Sequence, residues 1–277
     1  MTIKKCFIAS AGYGTRMGDV GKVLPKPLWP IFNARILDLQ LNYLNELGIN
    51  EVYMNTHHHS KDLKSWAKKK NVTILEEEVL LGSGGCIHNL IDKYSIREKI
   101  LIINADQFLF FNQKELDKVV KEMYEASANA CLFAISVDSS LGYNETVVSN
   151  KLLTDINTSP QASKYLTYSG VGVIDLEKIQ LDLGVSSFFD TVCNYKKSKV
   201  LMSEFQNYEY WDFGTTSRYV ESLRGCFKDN LMSRFLNRCQ IEIPKYSENI
   251  KMLDGEFNVD LVSGKEKVEY EGEISLP

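Results

Sequence analysis

Arg16 and Lys26 sit in the two settings of this chain that best suit phosphate chemistry. Arg16 follows the run Ser10-Ala11-Gly12-Tyr13-Gly14-Thr15 and precedes Met17. Two glycines let a backbone approach an anion closely and aim N–H groups at it. Arginine adds a planar, permanently charged fork that matches phosphate oxygens. Ten residues on, Lys26 stands in Leu24-Pro25-Lys26-Pro27-Leu28. Flanking prolines restrict the backbone and reduce the entropy lost when the lysine is fixed. A lysine held in this way can act as a point charge on a reacting phosphate. Met17 stands where a dinucleotide fingerprint needs its third glycine, and no Gly-Lys-Ser/Thr of a Walker A loop is present. By themselves, the G-x-G also suits an ordinary tight strand-to-helix turn, and Lys26 a solvated one.

These residues need elements to place them. Residues 4–9 form a short apolar run bounded by turn residues, the pattern of a buried strand. Leu37, Leu41, Leu44 and Leu47 repeat at helical spacing, and Gly48 supplies a stop. Strands are predicted at 51–55, 72–75 and 99–103, with helices at 60–70 and from the 82–85 glycine turn to about Asp92. The last strand runs into Asn104-Ala105-Asp106. This alternation predicts an α/β fold: a Rossmann-like, mostly parallel mixed sheet with helices on both faces. Ligands of such sheets bind beyond the carboxyl ends of the strands. The second half is more mixed, with strands predicted at 130–137, 151–156 and 166–174 and a helix at 185–196. Another helix, from Thr215 to Cys226, is capped by Thr215 or Thr216. Residues 1–227 read as one catalytic domain. Residues 228–277 read as a small C-terminal extension of short β-like pieces, with Gly255, Gly264 and Gly272 as turns.

The chain has 277 residues, is 44% hydrophobic and carries a net charge of −4, so it can bury a large core. That charge gives no reason to expect nucleic acid or an anionic membrane as partner. No apolar run approaches a membrane span or a signal segment, which predicts a cytoplasmic protein. Cys6, Cys86, Cys131, Cys193, Cys226 and Cys239 are scattered without a C-x-x-C pair, the pattern of free thiols.

The two phosphate motifs carry a resemblance. Ala9-Ser10-Ala11-Gly12-Tyr13-Gly14-Thr15-Arg16-Met17, then Leu24-Pro25-Lys26-Pro27-Leu28, closely resembles the L-A-(A/G)-G-x-G-T-R-(L/M)…P-K-P-(L/M) signature of the sugar nucleotidylyltransferases. Their branches include mannose-1-phosphate and heptose-1-phosphate guanylyltransferases and N-acetylmuramate-1-phosphate uridylyltransferases. The resemblance extends from residue 3 to about residue 225. It implies an enzyme that joins a nucleoside triphosphate to a sugar 1-phosphate, giving an NDP-sugar and pyrophosphate. Ala11, Gly12, Gly14 and Thr15 would then cradle the triphosphate, with Arg16 and Lys26 catalytic.

Leu81-Gly82-Ser83-Gly84-Gly85 resembles the family's L-G-T-G-G turn, which implies that Gly84 and Gly85 lie against the base. Glu77 precedes it. A carboxylate there can accept from N1–H and N2–H₂ of guanine, which favours GTP over UTP, although Glu76-Glu77-Glu78 equally suits three solvated acids. Asn104-Ala105-Asp106 and Trp211-Asp212-Phe213-Gly214-Thr215 resemble the segments whose two acids hold Mg²⁺, an ion suited to hard oxygen ligands. Tyr168-Ser169-Gly170-Val171-Gly172-Val173 resembles the strand that lines the sugar pocket. Upstream, Asp155-Ile156-Asn157-Thr158-Ser159-Pro160 stands where many members have E-K-P, so the second lysine is missing and Asn157 is the candidate on that side. Asn55-Thr56-His57-His58-His59 reads as a hydrogen-bonded loop near the nucleotide; adjacent histidines cannot easily all face one metal ion. Two other readings stay open: a non-catalytic NDP-sugar-binding regulatory homologue, and a cytidylyltransferase acting on a non-sugar phosphate. The family analogy also implies a product used for polysaccharide or cell-wall precursors, and the last fifty residues are expected to cover the core or to form a homodimer contact.

Overall fold

A computed structural model describes residues 2–12, 14–58, 60–262 and 267–271. Tyr13, His59, Gly264 and Gly272 lie outside the described residues, as does the side chain of Thr15.

In chain order the principal strands are β1 (Lys5–Ala9), β2 (Glu51–Thr56), β3 (Val72–Glu76), β4 (Lys99–Asn104), β5 (Gln107–Phe110), β6 (Ala130–Asp138), β7 (Glu145–Ser149), β8 (Leu152–Asn157), β9 (Lys164–Asp175), β10 (Val200–Ser203) and β11 (Glu209–Asp212). The principal helices are α1 (Ile36–Glu46), α2 (Ser60–Ala67), α3 (Gly82–Tyr94), α4 (Gln113–Glu125), α5 (Thr216–Gly225) and α6 (Leu231–Arg238). Nine strands form one sheet in the order β3-β2-β1-β4-β9-β6-β10-β8-β7. The first four are mutually parallel. β9 then runs antiparallel to both β4 and β6.

The sheet is buried on both faces. Phe7 points into one apolar cluster, with Ile87, Leu90 and Ile91 of α3, while Cys6 and Ile8 point into the other, with Leu37 and Leu44 of α1. Successive side chains of a strand leave on opposite sides, so a continuous apolar run such as Cys6-Phe7-Ile8 needs cover on both.

Of these strands, β5, β7, β10 and β11 escaped the sequence reading. Residues 185–196 do not form the predicted helix; they hold one π-type turn, Phe188–Val192. Three glycines of the first turn of α3 draw the preceding chain against that helix. A Cβ at Gly84 would stand 2.4 Å from the Ser187 carbonyl oxygen, and one at Gly85 2.2 Å from that of Gly184.

The described residues after 227 pack against the rest of the chain. Met232, Phe235 and Leu236 of α6 and Phe257 and Val259 share the larger core with Trp29 and Tyr219. Trp29 meets Phe257 edge-on at 5.2 Å, and Tyr43 meets Phe235 at 5.9 Å.

Candidate active site

A cavity of about 580 Å³ opens at the carboxyl ends of β1, β2 and β4. Its wall begins with Ala9-Ser10-Ala11-Gly12, continues through Gly14 and Arg16, and includes Lys26 between its prolines. Gly14 has φ 63°, a left-handed conformation that glycine adopts without steric cost, and its carbonyl accepts from Met17 N–H at 2.9 Å. Gly12 is different. A Cβ added there would meet nothing within 4 Å, so nothing in the described protein requires a glycine at that point on the wall.

The loop is pinned from β2. Asn55 Oδ1 accepts from Ser10 N at 2.8 Å and Ala11 N at 3.3 Å. The other end of the same amide donates from Nδ2 to Glu77 Oε1 at 2.7 Å. Glu77 Oε2 accepts from Leu81 N at 3.0 Å, and the side chain is 4% exposed. Glu77 is therefore a buried clamp that does not line the cavity, and the expectation that it reads a base from there is corrected. Gly84 and Gly85 are corrected in the same sense. Their N–H groups point to the Ser186 carbonyl, at 2.9 and 3.4 Å, and close packing against residues 184–187 explains the missing side chains. Gly82, Ser83 and Cys86 of the same turn do line the cavity. Burial pushes the Cys86 thiol up to about 12, with the nearby Glu77 carboxylate adding to it.

Asp106 and Asp212, far apart in sequence, come together through two strands. β5 and β11 pair antiparallel with Asp212 opposite Gln107, and Phe213 N–H donates to the Asp106 carbonyl at 2.8 Å. Both carboxylates converge on Gly214, where a Cβ would stand 2.7 Å from Asp212 Oδ1 and 3.1 Å from Asp106 Oδ2. Lys26 Nζ donates to Asp106 Oδ2. Asp212 accepts from Gly214 N at 2.6 Å, from Arg218 Nη1 at 2.8 Å and from the Tyr143 hydroxyl. Burial, and the Asp212 carboxylate it donates to, push the Tyr143 phenol up, so it stays protonated and a donor. Gln40 of α1 holds the turn that carries Asp106, donating to the carbonyls of Asn104 at 2.9 Å and Gln107 at 3.1 Å.

The predicted sugar-side residues do not line the cavity. Asn157 Nδ2 donates to Glu145 Oε2 at 2.9 Å on the sheet edge. The Tyr168 ring stacks on Phe188 at 5.8 Å inside the smaller apolar cluster. Gly170, with φ 81°, acts from behind the wall. A Cβ there would fall 1.7 Å from Gln107 Oε1, in the space where Gln107 and Asn104 join at 2.7 Å. Asn104 and Gln107 do line the cavity, as do Tyr143 and Arg218, which sequence reasoning missed. Tyr143 and Arg218 share no motif, and both bond the same carboxylate, that of Asp212. Among the described residues no group of three or more His, Cys, Asp or Glu is placed to hold a metal ion, and no helix is long and apolar enough to cross a membrane.

The nucleotidyl transferase family model matches residues 5–150. A D-glycero-alpha-D-manno-heptose 1-phosphate guanylyltransferase of Campylobacter jejuni is 24% identical over 231 residues, covering 79% of this chain and 98% of that protein. A bifunctional sugar-1-phosphate nucleotidylyltransferase/acetyltransferase of Sulfurisphaera tokodaii is 25% identical over 147 residues, covering 53% of this chain and 34% of that protein. Three of the curated relatives are matched over only 60%, 34% and 50% of their own length. Among solved structures, HddC from Yersinia pseudotuberculosis, also solved complexed with GMP-PN, has a TM-score of 0.67 at 20% identity, over 82% of this chain and 100% of that one. At that identity the likeness is one of fold.

Proposed function

Because this chain belongs to the nucleotidyl transferase family, we propose that it joins a nucleoside triphosphate to a sugar 1-phosphate, releasing pyrophosphate. The observation that carries this reading is the ion pair between Lys26 and Asp106, set beside Asp212 in the cavity that the glycine loop opens. A lysine paired with one of two convergent carboxylates is placed to change partners when a phosphate arrives.

In this reading a sugar phosphate oxygen attacks the α-phosphorus in line. The α–β phosphoanhydride bond breaks, and pyrophosphate leaves with the electron pair. No covalent intermediate on the protein is needed; positioning and charge stabilisation carry the acceleration. The backbone of Gly12 and Gly14 cradles the triphosphate. Arg16 stabilises the departing pyrophosphate, and Lys26 neutralises charge at the α-phosphate and the incoming phosphate. Asp106 and Asp212 would hold Mg²⁺, since their two hard oxygen donors converge at Gly214. When bound, the ion would neutralise charge on the phosphates.

GTP remains favoured over UTP. Support comes from relatives named as heptose 1-phosphate guanylyltransferases, against one of Synechocystis named as a UTP–glucose-1-phosphate uridylyltransferase. With Glu77 buried, the base-facing groups are those of the wall itself: Leu80, Gly82, Ser83 and Cys86.

The test is pyrophosphate release with Mg²⁺ across GTP, UTP, CTP, ATP and dTTP, each against mannose, glucose, heptose and N-acetylmuramate 1-phosphates. Release that needs both substrates supports the reaction and identifies base and sugar together. Silence across the grid from folded protein rejects it for these acceptors.

A further inference from the structure

We propose that Arg218 is the residue that receives the phosphate of the sugar 1-phosphate; this rests on the reaction proposed above. A phosphate monoester carries a charge of about −1.5 to −2 at pH 7, and it must enter a cavity already holding a triphosphate. It needs a cation that the triphosphate does not occupy. Arg16 and Lys26 belong to the glycine-loop wall. Among the described residues lining the cavity, Arg218 is the one Lys or Arg contributed from outside residues 10–27.

Its geometry is that of a prepared receptor. The guanidinium lies 4.4 Å from the centroid of the Tyr143 ring. Nη1 donates to Asp212 Oδ2 at 2.8 Å, and Nη2 to the Leu141 carbonyl at 2.7 Å. These bonds use two of five N–H donors and fix the plane of the fork. The side chain remains 27% exposed. A planar fork with free N–H groups recognises phosphate oxygens in pairs, which an ammonium cannot do. Asn157, the residue predicted for this side, is out of reach on the sheet edge.

The experiment compares wild type, R218Q and R218K. It reads KM for each substrate, the Mg²⁺ midpoint, and equilibrium binding of the accepted sugar 1-phosphate by calorimetry without nucleotide. R218Q is expected to raise KM and Kd for the sugar 1-phosphate ~10- to 100-fold, the loss of a charge-assisted contact, with the NTP KM unchanged. R218K should fall between. Three results overturn the assignment while leaving the reaction intact: a rise confined to the NTP KM, a shift confined to the Mg²⁺ midpoint, or a lower Tm with every constant unchanged. If R218Q does not fold, R218K alone decides: a sugar 1-phosphate KM raised ~5-fold supports the paired contact, and an unchanged one overturns it. Wild type inactive across the whole substrate grid removes the reaction and this assignment together.

Discussion

Asn55 and Glu77 are joined by a hydrogen bond of 2.7 Å from the Asn55 amide to one carboxylate oxygen, and the bond links two walls of the cavity. The Asn55 oxygen holds the amides of Ser10 and Ala11, and the second Glu77 oxygen holds the amide of Leu81 at the start of the glycine turn. An acid that the sequence offers as a base reader instead fixes which way an amide faces, and through it the phosphate loop.

Glu77→Gln tests that link. A glutamine can accept from only one side, so its NH₂ faces either Asn55 Nδ2 or Leu81 N–H, donor against donor. A buried mismatch of this kind costs ~1–3 kcal/mol. Thermal unfolding should show a lower Tm, and the NTP KM should rise as the loop loosens. Wild-type values for both would dismiss the clamp.

Gly12→Ala separates packing from ligand binding. Among the described residues, its chain neighbours aside, no atom lies within 4 Å of the added Cβ, so Tm should stay within the error of wild type. The methyl group enters the space given to the triphosphate, and the NTP KM should rise ~10-fold or more, the cost of one lost close contact to phosphate. Gly84→Ala is the opposite control. Its Cβ would meet backbone at 2.4 Å, so the variant should lose stability first.

Lys26→Ala should lower turnover by at least ~100-fold, in line with the loss of one preorganised charge donor. Near-normal turnover would remove Lys26 from the chemistry. Asp106→Asn should raise the Mg²⁺ concentration needed for half-maximal rate, and an unchanged titration would reject the metal role.

His88 gives a pH dependence. The imidazole is buried, Nδ1 accepts from Asp182 N–H at 3.3 Å, and Nε2 has no partner among the described residues. Burial holds its pKa below the ordinary 6.5. Below that pH the unfolded chain binds a proton that the folded chain resists, so this contribution to stability is complete above pH 6.5 and declines as pH falls. Tm should drop between pH 7.5 and 5.5 by more in wild type than in His88→Gln. Parallel curves would assign the pH dependence to other groups.

The sequence by itself determined the loop, its lysine and the parallel half of the sheet. These rest on local signals: a strand with both faces apolar, glycines at a turn, prolines around one lysine, and leucines at helical spacing. It also marked Asp106 and Asp212, because each stands in a recognisable segment. Tertiary structure alone decided what each residue faces. Glu77 and Asn157 are acceptor-rich or amide side chains that suit a ligand equally well on paper. Their partners, Asn55 with Leu81 and Glu145 with Ser159, took them out of the cavity. Gly84, Gly85 and Gly170 give no sign in sequence whether a ligand or another part of the protein fills the space left by a missing side chain; here it is residues 184–187 and the Gln107 amide. Tyr143 and Arg218 enter the site because β11 pairs with β5 and carries Asp212 to them. That pairing joins residues a hundred positions apart, and no local pattern records it.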